Sequence, residues 1–249
     1  MPLIVLLAAG FFITALLYAS VGFGGGSTYA ALLALSGLDY RVLPMVVLAC
    51  NIVVVAGSSL RFARAGLTPW KGALLLTALA APAAFLGGLF QIDERSFMAL
   101  LGGSLVLTAA TMLIPVGDQT EGEAGSLARY MPLVAVPMGF LAGVVGIGGG
   151  IFLAPLLHLT RWAGPRAIAA TTSFFILVNS LFGLAGQLAK NGAATFTGAI
   201  YEALPLLIAV VLGGQIGSLL AVKFLPLRWI RWLTAVLVLV VGVRLLVGG

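Results

Sequence analysis

Six stretches of nearly unbroken apolar sequence, at about 42–60, 72–91, 96–114, 166–189, 198–222 and 228–247, set the main constraint on how this chain folds. A helix needs about 20 apolar residues to cross the hydrocarbon core of a bilayer, so each stretch can span once. Of the 249 residues, 61% are hydrophobic and 8% charged, against about 25% charged in an average soluble domain. A folded surface must stay hydrated, and no water-soluble fold of this size hides so much apolar side chain. An integral membrane protein is expected, with the lipid bilayer as its first partner.

The formal net charge is +6, but the basic residues lie between the apolar stretches rather than in a run. That fits the positive-inside rule and gives no reason to expect nucleic acid as a partner. The single cysteine, Cys50, excludes an internal disulfide and a cysteine-based zinc site. The opening "MPLIVLLAAG" lacks a basic n-region, so the first apolar stretch is expected to be retained.

Two further apolar stretches, 3–36 and 131–160, are broken by glycine, in "SVGFGGGSTY" at 20–29 and "VVGIGGGIFL" at 144–153. Gly22, Gly24, Gly25 and Gly26 match Gly146, Gly148, Gly149 and Gly150. Arg41 matches Arg166, Gly57 and Gly66 match Gly183 and Gly192, and Gly87 and Gly88 match Gly213 and Gly214. The offset stays between 124 and 126 throughout. Shared glycines are common in membrane helices, but a near-constant offset marks an internal repeat. The halves are expected at 1–114 and 130–249, joined by the polar loop "PVGDQTEGEAGSLAR" at 115–129.

Loop charge addresses how the halves are oriented. If each broken stretch crosses once, there are eight spans and the halves run parallel. The basic loop residues then divide six (Arg61, Arg64, Lys71, Arg129, Lys190, Arg244) against seven (Arg41, Arg95, Arg161, Arg166, Lys223, Arg228, Arg231). If each broken stretch returns to its starting side, each half has three crossings and the halves are inverted. Nine basic residues then face one side, and only Arg41, Arg95, Lys190 and Arg244 face the other. Nine against four is the bias that the positive-inside rule expects. The expected fold is therefore an all-α integral membrane protein of two inverted-topology repeats. Each is a glycine-broken re-entrant hairpin plus three transmembrane helices, and both termini lie outside a bacterial cytoplasmic membrane. The first arm, 3–20, is long enough to cross alone, and the charge count leaves that alternative open.

Non-helical backbone at membrane depth is tolerated where it is buried in protein or lines a watery cavity. After each glycine knot comes a short helical piece, "STYAALLAL" from Ser27 and "IFLAPLLHL" from Ile151. A helix N-terminus offers free N–H groups and partial positive charge, which suits an anion. The candidate substrate-binding set is therefore Gly24, Gly25, Gly26, Ser27 and Thr28 with Gly148, Gly149 and Gly150. The second copy has Ile151 and Phe152 where the first has hydroxyls, so the two tips differ chemically. A packing role for the glycines is the competing reading, because Gly22/Gly26 and Gly146/Gly150 have small-xxx-small spacing. A dinucleotide fingerprint is a poor alternative, since no strand precedes either knot and the third glycine is missing.

Further candidates are neutral donors inside apolar helices. Asn51 sits in "LACNIVVV", and Thr172, Ser173 and Asn179 lie in the matching helix. Each can contact a ligand or simply hydrogen-bond between helices. Coupling or gating candidates are His158, Glu202 (the only acid within an apolar span), Arg41 and Arg166. Their structural alternatives are helix capping, headgroup contact and loop capping.

Tandem "GFGGG" and "GIGGG", with "LSGLDYR" after the first and "AATTSFFILVNSLFGL" after the second, resemble the TauE/SafE family of sulfite exporters over nearly the whole chain. The resemblance implies a secondary transporter of sulfite, sulfonates or related sulfur-containing anions, with no cofactor. It assigns no residue, and the site above is argued from position. Self-association into a homodimer stays open. A passive anion channel is an alternative function. A membrane-embedded serine enzyme would have only "GSSL" at 57–60 and His158 to draw on, and the flanks fit no nucleophile motif. Metal transport is disfavoured by the scarcity of buried carboxylates, histidines and thiolates.

Overall fold

The computed structural model describes residues 2–19, 23–113, 126–220 and 227–248. Gly22, most of the expected central loop and Lys223 lie outside them, as do the side chains of Arg228 and Arg231. Eleven α-helices are present among the described residues: α1 Pro2–Ala19, α2 Gly26–Leu35, α3 Leu43–Arg64, α4 Trp70–Leu89, α5 Glu94–Leu113, α6 Met131–Val145, α7 Gly150–Leu159, α8 Pro165–Asn191, α9 Ala193–Glu202, α10 Leu204–Leu220 and α11 Leu227–Gly248. A 3-10 turn, Ser126–Tyr130, leads into α6. Proline stands at the first or second position of α3, α6 and α8. There its missing N–H costs nothing and its fixed φ favours helix.

Five of the helical segments are long and apolar enough to cross a membrane, or six if the bent pair α9–α10 counts as one. The chain is a multi-pass helical membrane protein. The single span expected at 198–222 is a correction: α9 and α10 meet at a 68° bend. Pro205 explains it: as the second residue of α10 it has no N–H to donate to the Tyr201 carbonyl, so the hydrogen-bond ladder of α9 stops there and a new helix starts.

The first broken stretch packs its short helix back along α1. Tyr29 of α2 stacks on Phe11 of α1 with ring centroids 4.6 Å apart. Leu32 packs on Gly10, and Thr14 lies against Gly25. α2 thus runs antiparallel to the C-terminal part of α1. With 10 residues each, α2 and α7 are about 15 Å long, half the ~30 Å hydrocarbon core.

Packing between the halves is reciprocal. The first helix of each half lies along a long helix of the other, α6 on α4 and α1 on α10. In both pairs the helices run parallel and glycine sets the distance. Gly139 and Gly143 of α6 meet the Ala80 and Ala84 carbonyls, and Gly213 and Gly217 of α10 meet the Phe12 and Leu16 carbonyls. By contrast, the matching pairs α3/α8 and α5/α11 run antiparallel. Ser58 and Ser59 of α3 meet Ser173 of α8, while Leu48 meets Gly183. In α5 and α11, Gly102 lies against Leu246, and Val106 against Gly242.

The glycine seams yield a stability prediction. A Cβ on Gly143 would land on the Ala84 carbonyl and 2.7 Å from the Gly88 amide nitrogen, with only backbone to displace. Gly143→Ala is expected to destabilise by about 3 kcal/mol, the upper end of overpacking costs. Gly103, in α5, has nothing within 4 Å of a Cβ, so Gly103→Ala should be neutral or stabilising by up to about 1 kcal/mol. Thermal melts of the purified variants in one detergent provide the comparison.

Candidate functional site

The two short helices begin in the same way. Gly25 caps α2 at φ 80° and Gly149 caps α7 at φ 74°, both in the left-handed region that glycine tolerates. The Gly25 carbonyl accepts from Thr28 N–H (3.0 Å) and Tyr29 N–H (3.1 Å). The Gly149 carbonyl accepts from Phe152 N–H (3.1 Å) and Leu153 N–H (3.2 Å). This leaves the first two amides of each helix, on Gly26 and Ser27 and on Gly150 and Ile151, without an intrahelical acceptor. The far ends match too. Gly37 takes φ 77° after α2 and Arg161 takes φ 49° after α7, again 124 residues apart.

Asn51, near the middle of α3, brings the tips together. Its Nδ2 donates to the Ile147 carbonyl of the second knot at 3.2 Å. A Cβ on Gly26 would sit 2.5 Å from that nitrogen and 2.5 Å from the Ile147 oxygen. The Asn51 Oδ1 lies 2.5 Å from the Cβ position of Gly24, and its Nδ2 lies 2.8 Å from that of Gly148. One amide therefore touches both knots. At offset 125 the second half carries Ile176 in place of Asn51, and Ile176 packs on Gly148 and Gly150 in the corresponding way. Thr172 lines Gly150 through its methyl group. All six tip glycines, Gly24 to Gly26 and Gly148 to Gly150, are buried, and Asn51 and Ile176 close over them.

Unpaired polar atoms collect at this point. Ser27 Oγ, Thr28 Oγ1, Tyr29 OH, Asn51 Oδ1, Thr172 Oγ1 and Ser180 Oγ are buried without a hydrogen-bond partner among the described residues. Most buried polar groups are paired, and each unmade bond costs about 1–3 kcal/mol. A ligand that accepts hydrogen bonds would satisfy the hydroxyls and tip amides together. Helix N-termini supply positive potential without a buried cation.

The remaining sequence candidates lie elsewhere or have other partners. Ser173 Oγ is bound to Ser58 Oγ (2.8 Å) and Ser59 Oγ (3.0 Å), which fastens α8 to α3. Asn179 donates to Phe175 of its own helix at 2.8 Å. His158 is half-buried in the last turn of α7. Glu202 is exposed at the α9–α10 bend. Arg41 and Arg166 are exposed at the starts of α3 and α8, Arg41 in a turn where its N–H donates to Asp39. Sequence reasoning missed Ser180, whose Oγ lies 3.2 Å from the Cβ position of Gly148. The signal lay in the antiparallel register, since 51 plus 180 and 58 plus 173 give the same sum.

Paired broken helices with neutral donors at their tips, inside a bundle of apolar helices, define the membrane-transporter class. The chain matches the family model described as "Sulfite exporter TauE/SafE" over residues 6–245, and it belongs to that family. It is 35% identical to "Probable membrane transporter protein y4hK" of Sinorhizobium fredii, over 96% of this chain and 97% of that one. It is 26% identical to "Probable membrane transporter protein MJ0441" of Methanocaldococcus jannaschii, over 90% of this chain and 89% of that one. "Sulfite exporter TauE/SafE family protein 1" of Arabidopsis thaliana is 32% identical over 43% of this chain and 24% of its own length. No solved structure matches.

Proposed function

We propose that this protein is a secondary transporter that exports small sulfur-containing anions, such as sulfite or organosulfonates, across the bacterial cytoplasmic membrane by alternating access. The observation that carries the site is the meeting of two glycine-capped helix N-termini around Asn51, with Ser27, Thr28 and Ser180 unpaired beside them. Export of an anion runs with the inside-negative potential, worth about 2.3 kcal/mol per charge per 100 mV. Tips closed over by Asn51 and Ile176 support a gated carrier over a standing pore. Proteoliposomes loaded with sulfite, sulfoacetate, taurine or sulfate test the reading. Retention of all four would overturn it.

The inverted, re-entrant topology is part of this proposal. Two equivalent helices in antiparallel contact, α3 with α8 and α5 with α11, are what a two-fold axis in the membrane plane produces. An axis along the membrane normal would make them parallel. The turns group accordingly. Trp162 packs on Gly72, which brings the α7–α8 turn to the start of α4. Lys190 Nζ reaches the Phe90 carbonyl (3.3 Å) and Asn191 reaches the Arg41 carbonyl (3.5 Å) at the other end. Cysteines introduced as Ala65→Cys and Arg166→Cys are therefore expected to react with an impermeant thiol reagent from the same face, the buried Cys50 staying silent. Labelling from opposite faces would favour eight spans and parallel halves.

A further inference from the structure

A groove of about 550 Å³ opens away from the tips. Its walls are the C-terminal end of α2, the first turns of α5 and the last turns of α11, with Leu35, Glu94, Arg95, Met98, Arg244 and Leu245 among the lining residues. The antiparallel α5/α11 contact creates it by bringing the start of one helix beside the end of the other. Arg95 and Arg244, 149 residues apart in sequence, thus line one space. Both are exposed, and neither has an ion-pair partner among the described residues. Glu94 shares the groove. Arg41, in the neighbouring turn, has its pKa raised by the Tyr40 hydroxyl first, then by Asp39, with Glu94 the last contributor. Leu35, Met98 and Leu245 add apolar surface to the same lining.

A guanidinium presents planar paired donors matched to an oxyanion. Two of them facing one space, with a hydrocarbon wall beside them, suit an anion attached to a carbon chain. We propose that this groove is an oxyanion-binding site separate from the helix tips, in which Arg95 and Arg244 hold one phosphate- or sulfonate-type group while Leu35, Met98 and Leu245 receive its carbon chain. The ligand is either the headgroup of an anionic phospholipid or a soluble organic oxyanion. The site does not depend on which anion the protein carries.

The test uses the full chain in phosphatidylcholine nanodiscs, with native mass spectrometry as the readout. One arm dopes the nanodisc with phosphatidylglycerol, and the other adds propanesulfonate to the buffer. The wild type should retain one probe. The pair Arg95→Gln/Arg244→Gln should weaken that binding at least tenfold at an unchanged melting temperature. The pair Arg95→Lys/Arg244→Lys should weaken it less, since charge remains but the paired donors are lost. Asn51→Leu, which alters the tips alone, should leave it unchanged. Retention of phosphatidylglycerol identifies the lipid source, and retention of propanesulfonate the soluble one. Equal binding by the wild type and the glutamine pair, or no binding of either probe by the wild type, overturns the proposal. So does loss of binding in Asn51→Leu alone, which would move the ligand to the tips and leave the transport reading intact.

Discussion

Gly149→Val is expected to cut transport to background while the protein still inserts and purifies. A β-branched residue at φ 74° adopts a left-handed conformation costing about 1–2 kcal/mol. Its Cβ would lie 3.1 Å from the Ala142 Cβ, 3.2 Å from the Met138 carbonyl oxygen and 3.2 Å from the Phe175 ring. Overpacking against such neighbours adds about 1–3 kcal/mol. Gly25→Val faces the same backbone penalty, with Thr14 at 2.8 Å and the Tyr29 ring at 3.1 Å. About 2–5 kcal/mol of strain concentrated at a helix tip corresponds to a loss of roughly 30- to 5,000-fold in rate if it is borne by the transporting conformation. Gly192→Val is the control. Its backbone, at φ 85° and ψ 153°, lies in another region that side chains disfavour, but nothing stands within 4 Å of its Cβ. It should melt lower and transport nearly as well. If Gly25→Val and Gly149→Val both transport at wild-type rates, the knots are packing devices and the site lies elsewhere.

Much of this architecture was legible in the sequence because membrane helices write themselves as length and hydropathy. Expected spans at 42–60, 72–91 and 166–189 fall on α3, α4 and α8, because nothing but a closed helix satisfies the backbone in hydrocarbon. The knots were legible because four glycines in five positions have few uses inside an apolar stretch. Both knots proved to be left-handed N-caps at matching places. The α9–α10 bend was missed although Pro205 signals it, because the apolar run continues through the break. What sequence could not supply was helix rotation. Ser173 and Ser180 are both hydroxyls on one helix, two turns apart. One is tied to Ser58 and Ser59, and the other is unpaired beside Gly148. Only the antiparallel register of α3 and α8 decides which is which. The same register explains why Asn51, rather than Asn179, came to stand between the knots.

Asn51→Leu is expected to lower transport at least a hundredfold while shifting stability far less. The side chain is fully buried and holds the two knots through one bond, Nδ2 to the Ile147 carbonyl at 3.2 Å. Losing that bond and leaving a buried carbonyl unpaired costs about 1–3 kcal/mol. Leucine returns part of this by filling the volume with hydrocarbon and by removing the orphan Oδ1. The second half already accepts such an exchange, since Ile176 packs on Gly148 and Gly150 without any polar group. What leucine cannot replace is the polar amide at the tips. The first knot would then resemble the second, and the pocket would keep its helix ends but lose the side chain that touches both. Asn51→Asp sharpens the comparison because it preserves shape and reverses the electrostatics. A carboxylate beside two helix N-termini would occupy the positive potential meant for the substrate, so it too should fail to transport at neutral pH. Rates are read as initial efflux from loaded proteoliposomes, and stability as the melting temperature of the same preparation. Wild-type efflux in Asn51→Leu would remove Asn51 from the site. Loss of efflux in step with loss of folding would reduce it to a structural bolt between the knots. Failure of transport in a variant that melts within a few degrees of the wild type is the result that assigns Asn51 to the anion.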